Sequence, residues 1–412
     1  MNRRVVVTGM GALTPIGNNV EEFWNNVKIG KNGIDDITLF DVSEGTVKVA
    51  GEVKNFDPTI VGKKESKRLD RFSQFALAAA EEAITEANFD FETVDATRIG
   101  VMVGSGIGGF QTIESEVAKI ATGASKRVSP FFIPMSIVNM ASGNVSIKYG
   151  LKGPSLAVVT ACATGTNCIG DAFRQIKHGY ADAMVAGGVE APITKVSVEG
   201  FTSLKALNTS NNKERASIPF DAERSGFVMG EGAGILVLEE LEHAKKRGAK
   251  ILGEVVGYGA TCDAYHITSP DPEGEGAARA MNLAMEEAGI EKEELSYINA
   301  HGTSTPLNDK FETVAIKRSL GDFAYKIPVS STKSMTGHLL GAAGGVEAIV
   351  CLKAMEDSFI PATIGYKVKD ENCDLDYVPN EGRNGELTYT LSNSLGFGGH
   401  NATLLFKKYT ER

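Results

Sequence analysis

Short apolar runs rich in β-branched residues alternate along the chain with longer stretches in which apolar positions return every three to four residues. The runs at 4–8, 99–103, 156–160, 183–186, 235–238, 296–300, 327–331 and 388–392 predict strands, and the segments 72–87, 163–178, 277–288 and 344–355 predict helices. Runs that stay apolar at consecutive positions suit strands covered on both faces, so the layout predicts an α/β fold with mainly buried strands. Glycines collect where strands end, at 104–109, 187–188, 230–234 and 396–399, as tight turns beside a ligand or buried backbone require. Val5-Val6-Val7-Thr8-Gly9-Met10-Gly11 opens the first set of strands and Val255-Val256-Gly257-Tyr258-Gly259 a second, a faint internal echo.

With 412 residues, 42% of them hydrophobic, the chain can bury a sizeable core as two or three domains or one large doubled one. A net charge of -10 argues against a nucleic-acid or membrane-surface partner, both of which favour a basic excess. No apolar run approaches membrane-spanning length, and the start from Met1 to Thr8 is too brief for the apolar region of a signal peptide. The five cysteines, at 162, 168, 262, 351 and 373, lack the paired spacing of a zinc or redox site, so a reducing, cytoplasmic setting is expected.

Gly104-Ser-Gly106-Ile-Gly108-Gly109 fits the G-x-G-x-x-G pattern of dinucleotide-binding turns. Such a unit needs a second strand ending in an acid about twenty residues on. Here the polar, basic stretch 124–130 follows instead, so a structural turn or the wall of a substrate tunnel is expected.

Cys162 stands directly after the run at 156–160 and directly before a helical segment, a position in which a nucleophile is presented on a strand-to-helix turn. Amides at a helix start favour a thiolate and can hold an oxyanion beside it. Ala161, Ala163 and Gly165 leave room for a substrate. An isolated cysteine is usually buried structure, the reading given to Cys168, Cys262, Cys351 and Cys373. Two histidines lift Cys162 above it: His301 follows the strand at 296–300 among hydroxyls and Pro306, and His338 follows the strand at 327–331 and opens a small-residue helix. His178, His243 and His266 read as hydrogen-bonded loop histidines, and His400, after the glycine-rich turn, as lining the site. No local Cys/His cluster supports a catalytic metal.

Thr160-Ala-Cys162, His301-Gly-Thr-Ser-Thr-Pro306, Lys333-Ser-Met-Thr-Gly-His338 and Asn393-Ser-Leu-Gly-Phe397-Gly-Gly399 stand in the order found in β-ketoacyl-acyl-carrier-protein synthases. The chain resembles that family over residues 2–409, and most closely its chain-elongating, synthase II type. The resemblance implies a thiolase-like α/β fold of two similar halves, about 1–250 and about 251–412, in a five-layer α-β-α-β-α arrangement, assembled as a homodimer. It implies fatty-acid elongation by decarboxylative condensation of an acyl group on Cys162 with a malonyl group carried by acyl carrier protein, an acyltransferase reaction.

The same resemblance distributes the roles. Cys162 is the nucleophile, and its amide with that of Phe397 holds the oxyanion; Phe397, on its glycine-rich loop, is also a gate. His301 and His338 donate hydrogen bonds to the developing enolate. Lys333 pairs with Glu312, which with Asp309 orders the site. Thr303 and Thr305 meet the phosphopantetheine arm, which arrives on the substrate, and Ile107 and Phe201 face the acyl chain. No separate cofactor is implied beyond a structural Na+ or K+ near Asn299, Glu347, Ser392 and Asn393. Lys63, Lys64, Lys67 and Arg68 form a basic run suited to an acidic carrier protein. Other readings on the same residues are a specialised polyketide ketosynthase, a thiolase acting on coenzyme A thioesters, and a catalytically silent homologue that binds acyl chains or carrier protein. A thiolase would carry a second cysteine where the Phe397 loop has none.

Overall fold

The computed structural model describes residues 3–411, so the outermost ends of the two expected halves lie outside the described residues. Its central sheet is built from β1 (Val5–Leu13), β2 (Ile99–Gly104), β3 (Ser155–Leu156), β4 (Ala183–Glu190), β5 (Gly232–Glu240), β6 (Gly253–Cys262), β7 (Leu295–Asn299), β8 (Val329–Ser330), β9 (Tyr389–Gly396) and β10 (His400–Lys407). The helices that matter here are α1 (Arg71–Ala87), α2 (Phe110–Ala121), α3 (Met140–Tyr149), α4 (Thr164–Lys177), α5 (Lys195–Ser203), α6 (Glu275–Ala288), α7 (Pro306–Leu320) and α8 (Ala343–Asp357).

Read outward from the middle of the sheet, one side runs β1-β5-β4-β2-β3 and the other β6-β10-β9-β7-β8, the same order twice. The faint echo in the sequence is this duplication: its two members are β1 and β6, and they pair antiparallel where the halves meet, Val5 opposite Val255. Helices α1 and α3 cover the outer face of the first half, and α6, with α7 packed against it, covers that of the second. Between the halves α4 packs on β4 and β6, α8 packs on β5 and β9, and the two helices touch each other. These are the expected five layers.

The sequence makes the layers by making both faces of the strands apolar and the helices one-sided. Phe72 and Phe75 on α1 are fully buried with Val101, Val103 and Ile235 of the first half, and Met281 and Ile316 are buried with Leu391 in the second. The central pair needs closer approach, which glycine supplies. A Cβ on Gly234 would lie 2.2 Å from the backbone of α8, and one on Gly188 2.0 Å from the Gly341 carbonyl. Gly165 belongs to this contact, since its Cβ would lie 2.9 Å from the same carbonyl; it makes room for α8 and not, as expected, for a substrate.

Two expected strands are shorter than their apolar runs. Pro328 can offer only its carbonyl, taken by the Ile298 amide at 3.1 Å, so β8 is reduced to Val329–Ser330. The run at 156–160 leaves the sheet after Leu156 because its groups turn to α4: the Thr160 amide donates to Thr164 Oγ1 at 2.9 Å.

Candidate active site

Cys162 sits in a short turn, Ala161–Ala163, that precedes α4 at Thr164, and the residue before it is held at φ +51. A left-handed alanine is a strained position that the surrounding packing must impose. The constraint is visible: Gly396 lies so close that a Cβ there would stand 2.6 Å from the Thr160 carbonyl and 3.4 Å from the Cys162 amide. Strand β9 thus delivers Phe397, the first residue of the β9–β10 hairpin loop, beside the thiol, and Gly398 and Gly399 close the loop at φ +89 and +76.

His301 comes off the end of β7 and His338 lies beyond β8, so equivalent regions of topology place both at one end of the second half. Glu312, reaching back from α7, accepts the His301 amide at 2.7 Å and the Gly302 amide at 2.8 Å. Asp309 accepts the Phe220 amide at 2.8 Å and the Ser304 amide at 3.2 Å, holding the rest of that loop. The His338 backbone is fixed by β-bridge contact with Met229, its amide donating to the Val228 carbonyl at 2.7 Å. The two imidazoles meet edge to face with ring centroids 5.2 Å apart.

Cys162, His301, His338, Phe397, Thr303, Thr305 and Phe201 all line one cavity of about 340 Å³. Thr303 Oγ1 and Thr305 Oγ1 lie 3.0 Å apart at its polar side. Phe201, on α5, packs edge-on against Phe227 at 5.5 Å and faces Phe397 at 6.3 Å, so one wall is aromatic. Phe227 also meets the His338 ring edge to face at 5.3 Å, and Leu340 lines the cavity at φ +47. Neither was expected from the sequence: Phe227 lies in no motif, and nothing marks Leu340 as left-handed. Ile107 is not in the cavity wall; its amide donates to buried Glu190 at 3.2 Å. Lys63, Lys64, Lys67 and Arg68 are exposed and outside the cavity, with the Arg68 guanidinium 5.0 Å over the Phe131 ring.

Lys333 does not pair with Glu312 as expected. It is fully buried and ion-paired with Glu347 on α8, while Glu312 spends its oxygens on the His301 loop. The reason is reach: the turn Lys333–Thr336 lies beside the buried start of α8, and the Glu312 carboxylate is already occupied by two amides. Burial pushes Glu347 up to about 7, opposed by the Lys333 charge. Removing one partner of a buried pair strands the other, so Lys333→Ala should lower unfolding stability by about 3–5 kcal/mol. Lys333→Met with Glu347→Leu should recover most of that loss in a denaturant titration; equal destabilisation of single and double variants would contradict the pairing.

The electrostatics of the three reactive groups follow from burial. Burial pushes the Cys162 thiol up to about 12, against the Lys333 charge and the amides of Phe397 and Cys162. That direction runs against the thiolate that the helix-start amides were expected to favour. Burial first and Lys333 second hold His301 and His338 well below the ordinary imidazole range, so both are neutral at pH 7. Neither ring nitrogen of His338, nor Nδ1 of His301, has a partner among the described residues.

Among the other histidines, His243 is tied to Glu239 and His266 is exposed in its loop. Cys262 is exposed, which departs from the buried reading, because it ends β6 at the sheet margin. In the G-x-G-x-x-G loop the Gly106 and Ile107 amides are taken by the Glu190 carboxylate. For a structural cation, Asn299 Oδ1, Ser392 Oγ and Glu347 Oε2 are buried oxygens with no partner among the described residues, and Ser392 stands opposite Asn299 in the sheet. Such hard oxygen donors fit a monovalent cation. Asn393 fits less well, its Oδ1 already accepting from Thr403 at 2.8 Å. No cluster of three His, Cys, Asp or Glu side chains forms a metal site among the described residues.

The family described as "Beta-ketoacyl synthase, N-terminal domain" matches residues 2–244, and "Beta-ketoacyl synthase, C-terminal domain" matches residues 252–367. A 3-oxoacyl-[acyl-carrier-protein] synthase 2 of Staphylococcus aureus (strain COL) is 56% identical over 409 residues, 99% of each chain. One from Synechocystis sp. is 54% identical over 99% of this chain and 98% of its own. Among solved structures, a ketosynthase complex with a type II polyketide acyl-carrier protein superposes with a TM-score of 0.92 at 36% identity over 100% of both chains. A β-ketoacyl synthase from Burkholderia phymatum gives 0.91 at 35% identity over 99% of this chain and 100% of its own.

Proposed function

The chain belongs to the β-ketoacyl synthase family, and on that footing we propose how its cavity carries out the condensation. It is an acyltransferase of fatty-acid elongation, joining an acyl group to malonyl-acyl-carrier-protein to give the 3-oxoacyl thioester, two carbons longer, with CO2 and free carrier protein. The observation that supports the residue roles best is the union of one buried thiol and two neutral, unpartnered imidazoles in a single cavity.

Cys162 Sγ attacks the carbonyl carbon of the incoming acyl thioester, and the amides of Cys162 and Phe397 hold the oxyanion. The carrier thiol leaves with the proton that Cys162 gives up, and the acyl group stays on Sγ. Malonyl thioester then enters along Thr303 and Thr305. Its bond to the carboxylate breaks, CO2 departs, and the electron pair moves into the thioester carbonyl. Imidazole N–H groups of His301 and His338 donate to the enolate oxygen so formed. The carbanion attacks the acyl carbon on Cys162, the new C–C bond forms, and as the C–S bond breaks the sulfur leaves with its electron pair and takes a proton from solvent. Neutral imidazoles serve this better than imidazolium, because the carbanion needs a donor that does not protonate it. Phe397 closes the wet side of the cavity between the two half-reactions.

Incubation with a long-chain acyl-acyl-carrier-protein and malonyl-acyl-carrier-protein should yield one product, two carbons longer, with stoichiometric CO2. A series of products from repeated extension without reduction would instead favour the polyketide reading, whose solved relatives are less identical to this chain than the fatty-acid synthases are.

A carrier protein reaches this cavity from outside, and Lys63, Lys64, Lys67 and Arg68 offer it an exposed basic contact. A monovalent cation on Asn299, Glu347 and Ser392 would brace β7, β9 and α8 without touching substrate. The setting that suits these substrates and five free cysteines is the cytoplasm, and no helix of the described residues is long and apolar enough to cross a membrane. A homodimer is supported by the free edge of the sheet at β3, where Leu156 is exposed, and by the exposed apolar side chains Val117, Ile120, Ile133, Ile137 and Val159 of the same half. An unpaired edge together with exposed apolar side chains favours a second copy across a two-fold axis. Light scattering should give twice the chain mass, and Val159→Asp with Ile133→Asp should halve it; a monomeric parent protein would exclude the dimer.

A further inference from the structure

Glu190 ends β4 with its carboxylate fully buried, and the mechanism above makes no use of it. Its surroundings are entirely donors. One oxygen accepts the Ser105 hydroxyl at 2.5 Å and the Ile107 amide at 3.2 Å. The other accepts the Gly106 amide at 2.7 Å and the Gly341 amide at 2.9 Å. Ser105 Oγ in turn accepts the Gly108 amide at 2.9 Å, which orients the hydroxyl. Burial pushes its pKa up, and the four donors oppose that rise for the Glu190 carboxyl group.

That second oxygen joins two loops with different owners. Gly106 belongs to the loop after β2, against the nucleophile turn: a Cβ on it would lie 3.6 Å from the Ala161 carbonyl and 2.7 Å from Glu190 itself. Gly341 belongs to the segment that follows His338 and contains Leu340 of the cavity wall. No side chain fits between them, since a Cβ on Gly341 would stand 2.6 Å from both the Gly106 amide nitrogen and Glu190 Oε2. Glu190 is thus the link between a thiol carried by the first half of the chain and an imidazole carried by the second.

We infer that Glu190 is a positioning residue of the condensation step, its carboxylate clamping the His338 segment against the Cys162 turn through Gly341 and Gly106. It touches no substrate. Its charge also bears on Cys162, where it opposes loss of the thiol proton. Such an anion beside a thiol is tolerable only if the register it enforces outweighs that opposition. The inference rests on the assignment of Cys162 and His338 given above.

The test uses Glu190→Gln, nearly the same shape without the charge, and Ser105→Ala, which keeps the charge and loosens its cradle. Acyl loading of Cys162 and its discharge by malonyl-acyl-carrier-protein are timed separately by intact mass, with melting temperatures recorded. Wild-type loading and discharge must be seen first; their absence would overturn the functional reading itself. A misplacement of reacting groups by about 1 Å costs up to about 100-fold, so discharge should slow by about 10- to 100-fold in Glu190→Gln and less in Ser105→Ala, while loading changes by under about threefold. Peptide-resolved alkylation of Cys162 should also move to lower pH in Glu190→Gln and not in Ser105→Ala, a shift that loss of packing alone would not produce. Loading and discharge falling together with the melting temperature, or an unmoved alkylation profile with normal discharge, would overturn the inference; if Glu190→Gln does not fold, a Ser105→Ala protein with normal discharge would do the same.

Discussion

Cys162→Ala is expected to remove covalent loading completely and to lower acyl transfer by at least about 10⁴-fold, since a nucleophile deletion leaves only binding and oxyanion stabilisation. Intact mass after incubation with a long-chain acyl-carrier-protein thioester should show one acyl adduct on the parent protein and none on the variant. The other four cysteines give no substitute, because Cys168, Cys351 and Cys373 are buried in the core and exposed Cys262 lies outside the cavity wall. The variant should nevertheless keep releasing CO2 from malonyl-acyl-carrier-protein, because both imidazoles remain in place. An equal adduct on the variant, or discharge of the parent adduct only by an acyl-coenzyme A, would remove Cys162 or the carrier-protein reaction from the scheme.

The parts of this site that were legible in the sequence are those whose local setting repeats their role. A cysteine between an apolar run and a helix, and histidines each at a strand exit, can be read from periodicity and turn residues. Their convergence could not, because Cys162 lies in the first half of the chain and His301 and His338 in the second, with β4, β5, β6 and β7 between the thiol and the first imidazole. The echo between β1 and β6 hinted at two halves, yet only the sheet order shows that the halves repeat each other strand for strand. The Lys333 partner was misread for a related reason: Glu312 and Glu347 are both acids on helices that follow catalytic loops, and sequence spacing does not tell which of them faces the lysine. Phe227 and Glu190 carried no signal, since their importance lies in what other segments bring to them.

Glycine serves three different purposes around the site. The same residue type makes a hairpin loop at Gly398 and Gly399, lets β9 abut the nucleophile turn at Gly396, and allows α4, α8 and the strands to touch at Gly165, Gly188, Gly234 and Gly341. Only the hairpin could be read from local pattern. The close contacts between layers depend on which helix is opposite, and they are what bring the thiol and the second-half loop within one cavity.

His301→Ala and His338→Ala should each leave loading of Cys162 nearly intact and slow decarboxylation and condensation by about 10²- to 10⁴-fold, the range expected when a donor to developing charge is lost. The separation follows from the geometry: the oxyanion of loading forms at the amides of Cys162 and Phe397, whereas the enolate forms where the unpartnered imidazoles point into the cavity. The pH dependence gives a second readout. Both imidazoles are held well below 6.5, by burial first and Lys333 second, so kcat/KM for the malonyl substrate should stay level as pH falls through the ordinary histidine range. In the unfolded chain the same imidazoles protonate near their ordinary value, so the stability they contribute is full above about 6.5 and is lost as pH falls toward their folded values. Replacing the buried pair with Lys333→Met and Glu347→Leu removes the nearest positive charge and should raise the imidazole pKa values, moving the acid limb of activity to higher pH. A wild-type profile that already breaks near 6.5, or an acid limb unmoved in the double variant, would show that Lys333 does not set the charge state of these histidines. Loading and condensation lost in equal measure in both histidine variants would show that the two imidazoles serve the first half-reaction as well.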